Sequence, residues 1–411
     1  MNHHYIAFAS FGSDWPLVNE LYPNAAGARI TLRALQSKVG ADRPRPKLWV
    51  DAEIDSLHFS EILSSSRSDF KDYREYLNGF ANANAITADK PDTKLVGEFV
   101  KSVLDSVKEK TDEQALGYIS VPQLPYRMGA KRNKINRMLA EATLKWKSAQ
   151  RKPPRFILPV ILSDARGQTD LKGRRTEKIK VAQSCFEISG AEGIWVVDST
   201  LDDHDDAGTL ENRRFPGIIN FHEELNSVLP VDTVTIAGPY WGLNLALWAR
   251  GLVRFPAIGV GRSFQYIVPG RNPQQGGKTR VAVAPLKRLA VISALKPWLH
   301  EALRALPKSD PVHAEFDQLS KKLSPLQDRN QARRQIAHFY RDWLEELESV
   351  PNSSRALTLY QDLSAAFVLG SRLKPFDKKL GEEVPNPAII AKQLMVNCLS
   401  NPKSVRQRAS E

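Results

Sequence analysis

The sequence predicts an α/β fold, a (β/α)8 barrel of the TIM type followed by a C-terminal all-helical domain. Short runs rich in β-branched and aromatic residues end repeatedly on Gly or Asp, and helix-length segments separate most of them. Strands that helices cover on both faces need no polar alternation, so continuous apolar runs of this kind are typical of a parallel sheet. After residue 285 the apolar residues recur at helical spacing, which predicts the second domain.

Seven strands are predicted where apolar runs stop at turn-forming or acidic residues. In chain order they lie at residues 5–11, 47–54, 117–121, 156–162, 193–198, 233–237 and 257–260. The eighth strand has two candidates, residues 264–268 and 281–284. Seven or eight strands alternating with helices fit a closed barrel better than an open doubly wound sheet, which is the alternative.

Helices are predicted between these strands. A helical stretch is expected at residues 27–36, and a polar helical insertion near 56–114 contains a helix at 93–110. Apolar residues recur at helical spacing in residues 129–152, which predicts an amphipathic helix with its basic residues outward. Another helix is predicted around 179–188, and one begins directly after the sixth strand.

The second predicted strand carries three acids at alternate positions, Asp51, Glu53 and Asp55. Side chains alternate along a strand, so all three should point to one face. Unpaired buried charge is costly. We therefore expect at least one of these acids to lie at an open strand end.

The domain boundary is predicted at residue 285, with the barrel at 1–285 and a helical domain at 286–411. Three amphipathic segments, at residues 286–306, 331–350 and 354–373, are separated by proline-containing turns. This domain offers a surface for a protein partner.

The composition excludes several classes of protein. The 411 residues are 42% hydrophobic and 25% charged, which is ordinary for a soluble globular protein. No uninterrupted apolar run reaches the roughly 18 residues of a membrane span, and the first residues lack a secretory signal pattern. Two cysteines fit a reducing compartment. We therefore expect a cytoplasmic protein with no membrane partner.

No cofactor or metal is predicted. Cys185 and Cys398 cannot form a zinc cluster by themselves, and the eight histidines are scattered. No P-loop, Rossmann fingerprint or G-x-S-x-G elbow is present. The acidic run at residues 202–206 has the composition of a cation site, but consecutive side chains point in different directions, which favours an ordinary acidic loop.

Positive charge is concentrated in one part of the chain. Residues 127–180 hold 16 Lys or Arg and four acidic residues, a net charge of +12 that equals the net charge of the whole chain. Such clustering is expected of a surface that meets phosphates, and a solubilising helix face is the alternative. We predict DNA or RNA as the partner. The predicted contacts in this window are Lys131, Arg132, Lys134, Arg137, Arg174 and Arg175.

A second basic segment, residues 269–280, lies where many barrels hold a phosphate through backbone N–H groups and basic side chains. Its candidates for phosphate contact are Arg271, Lys278 and Arg280. A flexible connection is the alternative interpretation.

Polar side chains at the predicted strand ends are the candidates for chemistry, because the βα loops of such barrels converge there. Asp51 and Asp198 are the predicted catalytic carboxylates. The predicted substrate-binding residues are Gln123, Tyr126, Asp164, Tyr240, Trp241 and Arg262. Rings stack on flat heteroaromatic substrates, carboxylates accept their N–H groups, and arginine binds phosphate. A strand-end Asp that only caps the following helix is the alternative.

Three segments resemble the tRNA-guanine transglycosylase superfamily, barrel enzymes that exchange a base at a glycosidic bond. The segments are WVDAEID at residues 49–55, FILPVIL at 156–162 and GIWVVD at 193–198. The resemblance implies that Asp51 takes the place of the aspartate in the family's Asp-Ser-Gly-Gly-Phe loop, although Ala52 and Glu53 follow it here. The family's zinc site of three cysteines and a histidine has no counterpart. Asp198 is a candidate from its position at a strand end.

Base exchange needs one carboxylate to attack C1′ or stabilise an oxocarbenium-like centre, and a second group to protonate the departing base. We therefore predict a nucleic-acid-directed transglycosylase in which Asp51 and Asp198 divide these roles. Two alternatives remain. One is a non-catalytic barrel that binds nucleic acid or a protein partner, and the other is a metal-dependent hydrolase of nucleotides or phosphoesters that uses the acids at 202–206.

Overall fold

The structure is a computed structural model. It describes residues 4–9, 12–23, 25–36, 44–58, 62–64, 66, 70–126, 130–163, 172–199, 207–240, 242–260, 266, 268, 279–373 and 387–400.

Eight parallel strands close into a barrel, which confirms the predicted fold class. They are β1 (Ile6–Phe8), β2 (Gly27–Thr31), β3 (Leu48–Asp51), β4 (Leu116–Ser120), β5 (Arg155–Leu162), β6 (Gly193–Asp198), β7 (Val234–Ala237) and β8 (Phe255–Gly259). Each strand pairs with the next, and β8 closes the ring by pairing with β1, where Ile6 lies opposite Ala257. The continuous apolar runs of β5 and β6 are buried almost throughout, as strands between a helical layer and a filled interior must be.

Aromatic side chains fill the barrel interior. Trp49 of β3 and Trp195 of β6 meet edge to face with ring centroids 5.2 Å apart, and Phe8 of β1 lies 5.5 Å from Trp195. Both indole N–H groups have acceptors, Ser120 Oγ for Trp49 and the Gly238 carbonyl for Trp195. Rings of this size make a packed floor below the carboxyl ends of the strands.

Helices cover the barrel. Those in the first 250 residues are α1 (Trp15–Leu21), α2 (Leu32–Gln36), α3 (Lys71–Asn78), α4 (Asn84–Thr87), α5 (Thr93–Lys110), α6 (Ala130–Ser148), α7 (Lys172–Ser189), α8 (Ala207–Val228) and α9 (Leu243–Ala249). The predicted helix at 93–110 is confirmed as α5, and Asp92 caps it by accepting from the Leu95 N–H at 3.0 Å.

After β8 the described residues form an antiparallel hairpin and five helices. The elements are β9 (Arg280–Val283), β10 (Arg288–Val291), α10 (Ile292–Ala305), α11 (Pro311–Lys322), α12 (Arg329–Glu348), α13 (Asn352–Arg372) and α14 (Pro387–Ser400). The hairpin spans the predicted boundary at residue 285. Its second strand, β10, lies within residues 286–411, a region that was predicted to be wholly helical.

One helix prediction and one candidate for the eighth barrel strand are wrong. Residues 27–36, predicted as helical, form β2 followed by the single short helix α2. The candidate eighth strand at 281–284 is part of β9, which pairs only with β10, outside the barrel. Of the other candidate, 264–268, only Tyr266 and Val268 are described. The strand predicted at 257–260, the seventh in the prediction, is therefore β8, the last strand of the barrel. The barrel strand that was not predicted is β2.

The helix α12 occupies the place of the eighth barrel helix, between α1 and α9. Tyr22, at the end of α1, donates its hydroxyl to the Ala337 carbonyl at 3.0 Å, and Arg333 pairs with buried Asp14. On its other side Tyr340 donates to Asn244 Oδ1 of α9. The C-terminal region thus supplies a layer of the barrel, while the hairpin, α10 and α11 form a second apolar cluster beside it.

No helix in the described ranges has both the length and the hydropathy needed to cross a bilayer.

Candidate active site at the barrel mouth

The strand β3 ends at Asp51, at the face of the barrel where parallel strands present their carboxyl ends. The chain then turns through Glu53, whose φ of 52° is left-handed, and enters a 3₁₀ turn over Ile54–His58. Ser56 holds this turn by donating its hydroxyl to the Glu53 carbonyl at 2.7 Å. The three acids therefore do not share one strand face as predicted. A tight turn brings them together, at a backbone conformation that is strained for a residue other than glycine.

Arg29 of β2 is the cation at the centre of this turn, and only 1% of its surface is exposed. Its Nη2 and Nε lie 2.5 and 3.1 Å from Asp51 Oδ2, and Nη2 lies 3.8 Å from Glu53 Oε1. The guanidinium carbon also lies 4.4 Å from the centre of the Phe8 ring. Burial lowers the pKa of Arg29, but the charges of the two carboxylates outweigh this effect and leave the pKa raised. Arg29 is therefore a permanent cation that forms a close ion pair with Asp51.

Asp55 lies beside this ion pair in a different electrostatic state. It is 3% exposed, and its Oδ2 accepts a hydrogen bond from the Tyr266 hydroxyl at 2.6 Å. Burial raises the pKa of Asp55 well above its usual value, and the negative charge of Asp51 raises it further. The hydrogen bond from Tyr266 and the charge of Arg29 act in the opposite direction. The balance favours a protonated Asp55 beside the ion pair of Asp51 with Arg29.

Glu53 connects the cluster to the helical insertion. Burial raises its pKa, while Arg29 and Arg33 oppose that effect. Arg33 Nε lies 3.5 Å from Glu53 Oε2, and its Nη2 donates to the Tyr73 hydroxyl of α3 at 2.9 Å. The insertion that the sequence predicted as an addition to the barrel thus contributes partners to the acid cluster.

A pocket opens next to these acids. It has a volume of about 240 Å³ counted to its open side, and its lining from the ends of β3, β4 and β5 includes Asp51, Asp55, Ser120 and Gln123. Its enclosed part has room for about one water molecule. Two carboxyl groups with different electrostatic environments therefore face one solvent-connected space, the arrangement that separates an acid from a base or nucleophile.

Gln123 and Tyr126, two predicted substrate-binding residues, lie in the loop after β4 and pair with each other. The Tyr126 hydroxyl donates to Gln123 Oε1 at 3.0 Å, and Gln123 Nε2 donates to the carbonyls of Pro122 and Asn136. Asn136 of α6 accepts from the Leu124 N–H and donates to its carbonyl. These bonds fix the wall of the pocket. Gln123 also lines the pocket, so its role toward a substrate stays a prediction.

Asp198 and Tyr240 meet on another part of the mouth. The backbone N–H of Asp198 donates to the Tyr240 hydroxyl at 2.5 Å, and the Tyr240 ring is buried. In this arrangement Tyr240 holds the end of β6. Asp198 is not among the described residues that line the pocket, and the carboxylate that accompanies Asp51 there is Asp55. A catalytic role for Asp198 stays a prediction.

The structure divides the basic window between the two faces of the barrel. The first turns of α6 and α7 begin at the mouth, because these helices follow β4 and β5. Lys134 and Arg137 are exposed there, Arg132 is partly buried, and Arg175 pairs with Glu224 of α8. Other basic residues of the window lie at the opposite end, namely Lys145, Lys147, Arg151, Lys152 and Arg155. Among the described residues of the window, the basic side chains are therefore divided between a rim at the mouth and a second group at the far face.

Several predicted residues lie outside the described part of the chain. They are Asp164, Trp241, Arg262, Arg271 and Lys278, the side chains of Lys131 and Arg174, and the acidic run 202–206. Arg280 is described as the first residue of β9, away from the barrel sheet. Among the described residues no group of three or more His, Cys, Asp or Glu is placed to hold a metal ion.

Arg29 and Tyr266 are two residues of the acid cluster that were not predicted from the sequence. The signal for Arg29 was the alternation of GARIT, in which Ala28 and Ile30 are apolar and Arg29 and Thr31 are polar, the pattern of a strand. Tyr266 lies in residues 264–268, a candidate for the eighth strand, and nothing in that segment singles out its hydroxyl.

Comparisons with protein-family models, with characterised proteins and with solved structures found no significant match to this chain. The resemblance to the tRNA-guanine transglycosylase superfamily therefore stays a prediction.

Proposed function

We propose that the chain is a nucleic-acid-directed barrel enzyme that breaks or exchanges a base at a glycosidic bond, with Asp55 as the general acid and Asp51 as the charged carboxylate. One observation carries the proposal. Asp55 is buried under conditions that favour its protonated form, Asp51 is paired with the buried cation Arg29, and both line the same pocket. Enzymes that cleave glycosidic bonds commonly use two carboxyl groups kept in opposite protonation states.

In the proposed reaction Asp55 protonates the departing base while Asp51 stabilises the positive charge that develops at C1′, or attacks it. An incoming base or a water molecule then completes the exchange or the hydrolysis. The single-water space in the pocket is compatible with the second outcome. The two roles belong to residues four positions apart, and Asp198 is not required for either of them.

The rim at the mouth supports nucleic acid as the substrate class. Lys134 and Arg137 are exposed near the start of α6, on the face of the barrel that holds the pocket. A phosphate backbone that follows this rim brings its nucleotides to the acids. Electrostatic contacts of this kind position a strand without reading its sequence.

The reaction is tested with the full chain and labelled DNA and RNA oligonucleotides, by measuring release of free base and incorporation of labelled free bases. Asp55→Asn should lower either activity by at least about 10²-fold, because it removes the proton donor and keeps the shape. Asp232→Asn is the matched control, since Asp232 is exposed on the turn before β7, at the opposite face. Activity in Asp55→Asn equal to that of Asp232→Asn would remove Asp55 from the mechanism.

The rim is tested by its own matched pair of variants. Changing Lys134 and Arg137 to Gln should weaken binding to a labelled oligonucleotide and lower the slope of log K against log salt by roughly 0.7 to 0.9 per lost contact. Changing Arg151 and Lys152 to Gln removes the same charge at the far face and should leave the slope unchanged. Equal losses in both variants would mean that net charge, and not the rim, controls binding.

A second candidate, a barrel that binds nucleic acid without turnover, is favoured by the small enclosed part of the pocket. Rim-dependent binding with neither base release nor base incorporation would select it.

A further inference from the structure

Tyr266 follows β8 and reaches the acid cluster from the side of the barrel opposite β3 and β4. Its side chain is 5% exposed, and its ring packs edge to face on Trp195 at 5.0 Å and on Phe8 at 5.9 Å. These two contacts hold the ring in place, so the hydroxyl is fixed 2.6 Å from Asp55 Oδ2. Burial, followed by the charges of the nearby acids, raises the pKa of Tyr266 well above its usual value. The phenol therefore stays neutral and acts as the donor in this bond.

We propose that Tyr266 is a positioning residue that places the acidic proton of Asp55 on Oδ1, an inference that rests on the proposed function. A carboxyl group has two oxygens, and the phenol O–H already occupies Oδ2 as an acceptor. The proton of the acid is then held on the other oxygen. The function of Tyr266 is to fix which oxygen of Asp55 delivers the proton and in which plane.

The same hydrogen bond assists the proton transfer. In that step the Oδ1–H bond of Asp55 breaks, a bond from the proton to the departing base forms, and the electron pair of the glycosidic bond goes to the base. Asp55 is left as a carboxylate whose charge is shared by Oδ2. A hydrogen bond to a charged acceptor is stronger than one to a neutral acceptor. Tyr266 therefore stabilises Asp55 more after the transfer than before it.

Other groups around Asp55 also act on its titration. Those that face it are Asp51 and Glu53 from the segment at the end of β3, Arg29 from β2, and Tyr73 from α3. The two acids oppose ionisation of Asp55 and Arg29 favours it. Tyr266→Phe removes the hydroxyl and keeps the ring and all four of these side chains, so it tests the hydrogen bond directly.

The test is an NMR titration of full-length protein labelled with ¹³C at the aspartate carboxyl groups, with the Asp55 signal assigned by its loss in Asp55→Asn. Tyr266→Phe should raise the pKa of Asp55 by about one unit or more, because it removes a hydrogen bond to the charged form. Tyr240→Phe is the matched control. It also removes a buried phenol at the barrel mouth, but one that contacts the Asp198 backbone, and it should leave the Asp55 titration unchanged. Equal titrations of Asp55 in wild type and Tyr266→Phe would overturn the proposal, as would an equal shift in Tyr240→Phe.

A second variant keeps the ring and the hydroxyl. Incorporation of 3-fluorotyrosine at position 266 makes the phenol a stronger donor and should lower the pKa of Asp55, the opposite direction to Tyr266→Phe. A rise, or no change, with a retained fold would count against the proposal. The titration needs no substrate, so it can distinguish failure of the proposed reaction from failure of the proposed role of Tyr266. An expected titration without base release contradicts the proposed reaction, whereas base release with an unchanged titration contradicts the role of Tyr266.

Discussion

Arg29 brings a full positive charge into a barrel interior that is filled largely by aromatic rings. Removing a charge from water costs several kcal/mol even after the protein relaxes, and only close partners offset that cost. Asp51, Glu53 and the Phe8 ring are those partners. Apolar side chains of similar volume could fill such a space with equal or greater stability. The proposed reaction would account for a buried charge that the fold alone does not require.

The burial of the ion pair between Arg29 and Asp51 predicts a large loss of stability for Arg29→Met. The variant leaves Asp51 buried without Arg29 and leaves Glu53 with Arg33 as its remaining arginine, and we expect the free energy of unfolding to fall by about 3 to 5 kcal/mol. Urea denaturation followed by circular dichroism measures the change. The double variant Arg29→Met with Asp51→Asn removes both charges of the closest pair and should lose clearly less. A double variant as unstable as the single one would show that packing, and not charge, holds Arg29 in place.

His222 of α8 predicts how the fold responds to acid. It is fully buried, and burial lowers its pKa to about 3. An unfolded histidine has a pKa of about 6.5, so the unfolded chain takes up a proton between these two values while the folded chain does not. Stability is therefore complete above about pH 6.5 and is lost as the pH falls toward 3, by at most about 1.4 kcal/mol per pH unit from this residue.

His222→Leu should remove that acid sensitivity. Unfolding free energies of wild type and variant are measured by urea denaturation between pH 7 and 4, and the stability of the variant relative to wild type should rise as the pH falls. His300→Gln, at an exposed position of α10, should follow the wild-type curve. Parallel curves for wild type and His222→Leu would exclude His222 as a source of acid sensitivity.

At the scale of elements, the loop after β4 is held by one side chain of the helix that follows it. Asn136 is fully buried in α6, and its amide makes both backbone hydrogen bonds of Leu124, each at 2.8 to 3.0 Å. Because this loop forms the pocket wall, the clamp connects helix packing to the shape of the site.

Asn136→Leu should therefore cost about 2 kcal/mol or more, since it leaves a buried N–H and a buried carbonyl without partners. The same urea experiment measures it. Asn133→Leu, one turn earlier, loses only a hydrogen bond to Glu177 at 3.0 Å and should cost less than about 1 kcal/mol. If both variants lose the same stability, Asn136 is not a clamp.

The elements also show what a sequence can reveal. Strands such as β5 and β6 are predictable because both of their faces are covered and their apolar runs are continuous. The strand β2 was predicted as helix although its sequence alternates apolar and polar residues as a strand does. Its polar residues Arg29 and Thr31 are buried in the barrel, a placement that the alternation by itself does not reveal.

The candidate site was predictable only in part, for a related reason. Asp51 was found from its position at a strand end, which local sequence reveals. Its pairing with Arg29 spans 22 positions, and the bond between Tyr266 and Asp55 spans 211. Such contacts depend on barrel closure and strand register, and no local pattern encodes either one. Asp198 was chosen from its position at a strand end alone. It lies at the same face of the barrel as Asp51, but its backbone contacts Tyr240 and it is not among the described residues that line the pocket.

At the scale of the whole molecule, the C-terminal region completes the barrel. The helix α12 connects α1 to α9 through buried hydrogen bonds and the Arg333–Asp14 ion pair. A boundary at residue 285 therefore separates the eight strands from the helix that covers the seam between β8 and β1.

A chain that ends at residue 285 should fail to fold cooperatively. It exposes the side chains of α1 and α9 that α12 covers, and we expect no thermal unfolding transition by circular dichroism and strong binding of a hydrophobic dye. A chain that ends at residue 400 keeps every described helix and should unfold like the full chain. A cooperative transition in the 1–285 chain would show that the barrel is independent of α12.

The position of α12 also has a consequence for synthesis on the ribosome. About 70 residues separate the end of β8 from the start of α12. At an elongation rate of about 5 to 20 residues per second, a nascent chain waits on the order of 4 to 14 s after its last barrel strand before the covering helix is made. During that interval the seam between the first and last strands has no helix over it, and this is the stage at which a nascent chain is most exposed to aggregation and most in need of a chaperone.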